Sequence, residues 1–114
     1  MNERYLEHER TKWTEPVLTL PIKKRWLDAI MAKDPKKRKM EEYRTDSLYW
    51  DARIGPHQLE EAVYRLRAGY RQDSPAVLIR AIAIKRMAPR RPEWGLDAEF
   101  FVWVLKITDV KRER

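Results

Sequence analysis

A chain of 114 residues with 43% hydrophobic residues, five Trp and five Tyr can fill one core but not two. Its 25 Lys and Arg against 18 Asp and Glu leave a net charge of +7, which draws polyanions by long-range Coulomb forces and counterion release. There is no Cys, hence no disulfide and no thiolate nucleophile or ligand, and with only His8 and His57 besides, neither a metal site nor a cofactor is expected.

The opening stretch MNERYLEHER is polar and charged, unlike a secretory signal. The longest apolar run, 100–105, is far short of the ~20 residues that cross a bilayer. A soluble cytoplasmic protein without a membrane partner is expected. A protein partner is not specified by the sequence, and a monomer is expected. Residues 1–15 read as an arm whose sizeable apolar groups are Tyr5, Leu6 and Trp13, with Trp13 able to pin it to the body. A domain follows over 16–110, then a charged tail over 111–114.

The apolar run 17–20 predicts a strand, and Pro21 suits the first turn of a following helix, where its missing N–H does no harm. Ile22, Trp26, Leu27, Ile30 and Met31 then share one helical face, which makes Trp26 a core residue rather than a ligand platform. Pro35 ends the helix. Lys36, Lys37, Arg38 and Lys39 form the densest positive run, directly ahead of a strand over 39–44. In that strand Met40, Glu42 and Arg44 share one side, and Lys39, Glu41 and Tyr43 the other. Glu42 and Arg44 are therefore placed to pair, either to hold the guanidinium or to act in chemistry.

Residues 47–53 predict a helical turn carrying Tyr49 and Trp50, broken by Gly55-Pro56. Leu59, Ala62, Val63 and Leu66 keep a helical period, while 63–68 also alternates as a strand would. Residues 71–75 form a turn, 76–86 a long Ile-rich strand, and 88–95 a loop. Residues 99–107 are apolar on both faces and predict a central strand. Phosphate-cradling Gly-rich loops are excluded by a total of three Gly.

The sequence resembles the ASCH domains, relatives of the PUA fold, and in particular the short members found in phages and prophages. The helix Ile22-Lys23-Lys24-Arg25-Trp26 with Ile30 fits the pattern IKxxWxxxI, and Lys39, Glu42 and Arg44 fit the K, E and R of GxKxxExR. Further matching segments are 67–70 (RAGY) with Ser74-Pro75, and 92–95 (PEWG), so that the likeness covers about 16–107. Lys37 stands where the signature has Gly, and the loop around Pro35 is longer and more basic. The resemblance implies a mainly β, α+β fold: a small PUA-like β-barrel with one or two flanking helices. For that reason 63–68 is read as a strand. It also implies a cleft between the first helix and the barrel, lined by the signature residues, and RNA as ligand. In a deacylating branch that acts on modified cytidine, a Thr nucleophile occupies the position of Glu42, and a carboxylate cannot replace it without changing the intermediate.

Three function classes follow. A module binding RNA or nucleotides would use Lys23, Lys24, Lys36, Lys37, Arg38, Lys39, Arg44 and Arg67 on phosphates, with Tyr43, Tyr70 or Trp94 stacking on bases at about 1–3 kcal/mol each. A metal-independent ribonuclease-like hydrolase would use Lys39 and Arg44 on the phosphate and Glu42 or Tyr43 to move protons. Two adjacent cations hold a carboxylate ionised, however, which suits a general base poorly. A protein-interaction module would rest on Trp13, Tyr49 and Trp50. The first reading is preferred.

Overall fold

Aliphatic side chains on two thirteen-residue strands give the molecule its longest pairing, and the remaining elements are arranged about that hairpin. In the computed structural model, which describes residues 13–113, the strands are β1 (Leu18–Pro21), β2 (Glu41–Thr45), β3 (Glu61–Arg67), β4 (Ala76–Ala88) and β5 (Phe100–Arg112). Helix α1 (Lys24–Ile30) follows β1 and α2 (Leu48–Ile54) follows β2. Single-turn 3-10 helices occupy Pro35–Lys37, Gly55–His57 and Pro92–Trp94. The sheet order is β1-β3-β4-β5-β2, with β1 parallel to β3 and all other neighbours antiparallel. A bulge at Arg80/Ala81 bends the long hairpin, as extra residues in one strand do. The sheet curls into a half-barrel flanked by two helices, so the fold is mainly β and of the α+β kind.

One face of the sheet carries the main core. Tyr64 and Leu66 of β3, Val77, Ile79, Ala81 and Ala83 of β4, and Trp103, Leu105 and Ile107 of β5 pack there against Leu27 and Ile30 of α1 and Ile54 of α2. Val102 and Val104 face the other way and join Ala88, Leu96 and the half-buried Tyr43 in a smaller cluster. This explains why β5 is apolar on both faces. It is an interior strand, with β4 on one side and β2 on the other, while β4 holds the centre. Both helices have only two turns, too short to persist in water, and stand through packing and local bonds. Ser47 caps α2 by accepting from the Trp50 N–H at 3.3 Å, and the Trp103 indole donates to Asp51 at 2.9 Å.

The segment with two competing periods is a strand, β3, running two residues earlier and ending one earlier than expected. Backbone pairing on both sides, to β1 and β4, outweighs its helical propensity. Other boundaries move too. Pro21 ends β1 opposite Arg67 rather than opening α1; at the edge of a sheet the absent N–H costs nothing. Strand β2 starts at Glu41, not Lys39. Lys111 and Arg112, read as part of a tail, belong to β5, and Glu113 is bound to Arg65 at 2.7 Å. Most of the N-terminal arm, with Tyr5, Leu6 and His8, lies outside the described residues. Trp13 does pack on the body: the Arg80 guanidinium sits 4.1 Å from its ring centre. No helix among the described residues is long and apolar enough to cross a membrane.

Tyr64 is fully buried, its hydroxyl has no hydrogen-bond partner, and burial pushes its phenol up to about 12. Because the unfolded phenol titrates near ~10, the unfolded chain loses this proton first, and stability falls as pH climbs from there towards the folded value. Tyr64→Phe is expected to raise stability near neutrality by about 1 kcal/mol and to make the alkaline loss shallower, as read from urea midpoints across pH. A less stable variant, or an unchanged alkaline limb, would contradict this.

Candidate nucleotide-binding cleft

Alternation along β2 puts Glu42 and Arg44 on one side, and there Arg44 Nη1 donates to Glu42 Oε2 at 2.6 Å. Lys39 was expected on the opposite side. It lies before the strand begins, where alternation does not apply, and its Nζ reaches Glu42 Oε1 at 2.8 Å. The Lys39 N–H donates to Ala29 O at 3.0 Å, which ties this turn to the end of α1. Glu42 is thus held between an ammonium and a guanidinium. Arg44 also donates through Nη1 to Tyr43 O at 2.6 Å and through Nη2 to Pro21 O on β1. That last bond spans the two edge strands of the sheet, which do not pair with each other.

The triad is buried: Lys39 is 1% and Glu42 4% exposed, and the Arg44 side chain 12%. Burial holds the Lys39 ammonium below the ordinary lysine range, against the attraction of Glu42 and helped by the charge of Arg44. The Lys39 ammonium also donates to Glu41 O and lies 5.0 Å from the Tyr43 ring centre. The Tyr43 hydroxyl donates to Glu41 Oε1 at 2.8 Å, and burial, with that bond, pushes its phenol well above the usual range.

Above the triad, between α1 and the sheet, opens a cleft of 270 Å³. Pro21, Ile22, Lys23 and Trp26 form one side; Glu42, Tyr43 and Arg44 form the floor with Trp94 and Gly95. Gly95 has φ +98, and a Cβ there would lie 3.0 Å from the Trp26 indole. The close approach of this backbone to α1 sets the width of the cleft. The Arg25 guanidinium lies 4.5 Å from the Trp26 ring centre, and that of Arg91 4.8 Å from Trp94.

The cleft therefore gathers Lys23, Glu42, Tyr43, Arg44 and Trp94 from the residues singled out in the sequence. Tyr70 stands beside it, in a hollow that shares Pro21, Ile22 and Lys23. Lys36 and Lys37 are exposed on the 3-10 turn and do not line it, and Lys24 is paired with Asp28 at 2.7 Å. Arg38 donates to Ala32 O at 3.0 Å and lines a separate hollow beyond α1. Arg67 is half-buried on β3 and lines neither the cleft nor the Tyr70 hollow. Lys39 is a correction: it cannot serve as a contact to an external phosphate, because its ammonium is spent on Glu42 and Glu41 inside the protein. Trp26 is half-buried and contributes to both core and cleft wall. Gly95 and Arg25 were missed; a Gly after PEW in a short loop was the available sign of the first.

No known family, no curated protein and no solved structure matches the chain. Among the described residues no group of three or more His, Asp or Glu side chains is placed to hold a metal ion.

Glu42→Gln leaves Lys39 buried without its counter-charge, and a loss of about 3–5 kcal/mol in folding stability is expected from denaturant titration. Lys39→Met, which leaves Glu42 its Arg44 partner, should cost clearly less. Equal losses would show that the carboxylate is not the shared hub. Gly95→Ala should cost about 1–3 kcal/mol for a strained φ and a pressed Trp26, measured the same way; a neutral result would mean the loop gives way freely.

Proposed function

We propose that this protein binds RNA or nucleotides in the cleft between α1 and the sheet, and that it is an ASCH-type, PUA-like domain acting in the cytoplasm. The supporting observation is the composition of that one hollow: an exposed cation at the lip, Lys23, a partly exposed Arg44 on the floor, and aromatic rings from Trp26, Tyr43 and Trp94 around them. A negatively charged backbone with flat, polar-edged bases matches that mixture. The charge beyond the cleft agrees. Lys23, Lys33, Lys36 and Lys37, on α1's N-cap and the loop after it, are exposed and in no ion pair among the described residues. Elsewhere Arg65, Arg71, Lys85 and Arg86 are each matched by a carboxylate, whereas Lys106, Lys111 and Arg112 on β5 are exposed and in no ion pair among the described residues. The unpaired charge nearest the cleft is positive.

The floor chemistry weighs against the hydrolase reading. Glu42 has both oxygens engaged by cations, and the Tyr43 phenol is held protonated and tied to Glu41. Neither is placed to take a proton from a substrate. Glu42 instead serves to position Lys39 and Arg44 beneath the cleft. The interaction-module reading has little left: Trp50 packs against the core and Trp13 against Arg80, while the exposed Tyr49 is covered by Arg53, 3.5 Å from its ring centre.

Fluorescence anisotropy with single-stranded RNA provides the test. Affinity should fall about ten-fold or more when salt rises from about 50 to 200 mM, as phosphate contacts release counterions. Lys23→Ala should weaken binding and flatten that slope, whereas Trp94→Ala should weaken binding and leave the slope in place. Affinity indifferent to salt, or unaffected by both substitutions, would refute the assignment.

A further inference from the structure

The cleft is the middle of three hollows that run end to end. On one side a hollow of 230 Å³ lies beneath Tyr70 and Gly69, and it shares Pro21, Ile22 and Lys23 with the cleft. On the other, a hollow of 460 Å³ lies beside Phe100 and Phe101, and it shares Tyr43, Arg44 and Gly95. Each outer hollow has an aromatic ring left in water. Tyr70 is 98% exposed, Phe100 52% and Phe101 48%. Tyr70 does not hang from a loose loop. Its turn is closed by Ala68 N–H donating to Pro75 O at 2.8 Å and Ser74 N–H to Arg71 O at 3.0 Å. At Gly69 (φ +140) a Cβ would strike the Ser74 side chain. The ring projects from this hydrogen-bonded turn and contributes nothing to the core.

We infer that the three hollows form one track for an extended single strand of RNA at least three nucleotides long, with Tyr70 and Phe100 stacking on the bases that flank the one in the central cleft. This deepens the function proposed above and rests on it. The exposed Lys23 sits at the junction of the first and second hollows, where a strand's phosphate would pass, and Arg44, its Nη groups held by Glu42, Tyr43 O and Pro21 O, adds positive charge beneath the junction of the second and third. The third hollow also holds Asp97, which repels phosphate and favours a base there. A mononucleotide would fill the centre and leave both outer rings unused.

The experiment is competition of unlabelled uridine and adenosine monophosphates, trinucleotides and hexanucleotides against a labelled RNA, with wild type, Tyr70→Ala, Phe100→Ala and Trp94→Ala. Hexanucleotide affinity should exceed that of the mononucleotides at least ten-fold. Tyr70→Ala and Phe100→Ala should each lower hexanucleotide affinity by about five-fold or more and leave mononucleotide affinity unchanged. Trp94→Ala should lower both. Tyr70 is so exposed that its removal leaves the fold intact, which keeps the test clean if Phe100→Ala destabilises the hairpin. Mononucleotides binding as tightly as hexanucleotides, or a hexanucleotide indifferent to Tyr70→Ala, would overturn the track while leaving the central cleft's assignment standing. No binding at any length would overturn both.

Discussion

One carboxylate organises this molecule. Glu42 lies almost wholly out of water with Lys39 on one oxygen and Arg44 on the other, and two cations against one anion leave a single formal positive charge. Through Lys39 the acid is tied to the turn after α1, and through Arg44 to Pro21 on the far edge strand. The sheet does not close by backbone pairing, since β1 and β2 are its two free edges. A guanidinium with five donors in a planar fork can satisfy a carboxylate and two carbonyls at once, which an ammonium could not do in the same geometry. The seam of the half-barrel is therefore closed by a side chain, and the site grows out of that closure.

A buried ion pair seldom adds net stability over a well-packed apolar replacement, because desolvation cancels most of the Coulombic gain. Its use here lies in placement. The triad fixes a carboxylate and a guanidinium at the bottom of the cleft, while the exposed cation at its lip is Lys23. In the proposed binding role, recognition and attraction would thus be divided between buried and exposed charges. The rim can steer a polyanion over distances set by ionic strength, and the floor can discriminate only at contact.

Much of the architecture was readable because hydrophobic period and chain breakers agree. The 76–86 and 99–107 runs, the α1 stripe and the break at Pro35 each appear near their expected places. Where local signals conflicted, at β3, pairing to two neighbours decided, and only the resemblance to a barrel fold pointed that way beforehand. The site was half readable. Alternation supplied the Glu42–Arg44 pair, but it put Lys39 on the wrong side, because a two-residue rule was carried past the end of the strand. The density of Lys and Arg in 36–39 suggested that all four would meet a ligand. Folding separates them: Lys36 and Lys37 go to solvent, Arg38 caps carbonyls of its own loop, and Lys39 goes inside. Charge counts along a chain do not say which cations the protein keeps for itself.

The same distinction bears on why the site stays open to a ligand. A cleft whose charges were all mutually satisfied would gain little from an incoming phosphate, and one whose charges were all free would not hold its shape. Here the interior groups are engaged with one another and with backbone carbonyls, so the floor is held in place by its own bonds. Lys23 at the lip has no ion-pair partner among the described residues. For the binding role proposed, preorganisation of that kind would remove the ordering cost from the binding step and leave stacking and counterion release to dominate. The Gly95–Trp26 contact serves the same end from the opposite wall: backbone pressed against an indole fixes the width of the slot, and a flat ring is the shape such a slot accepts.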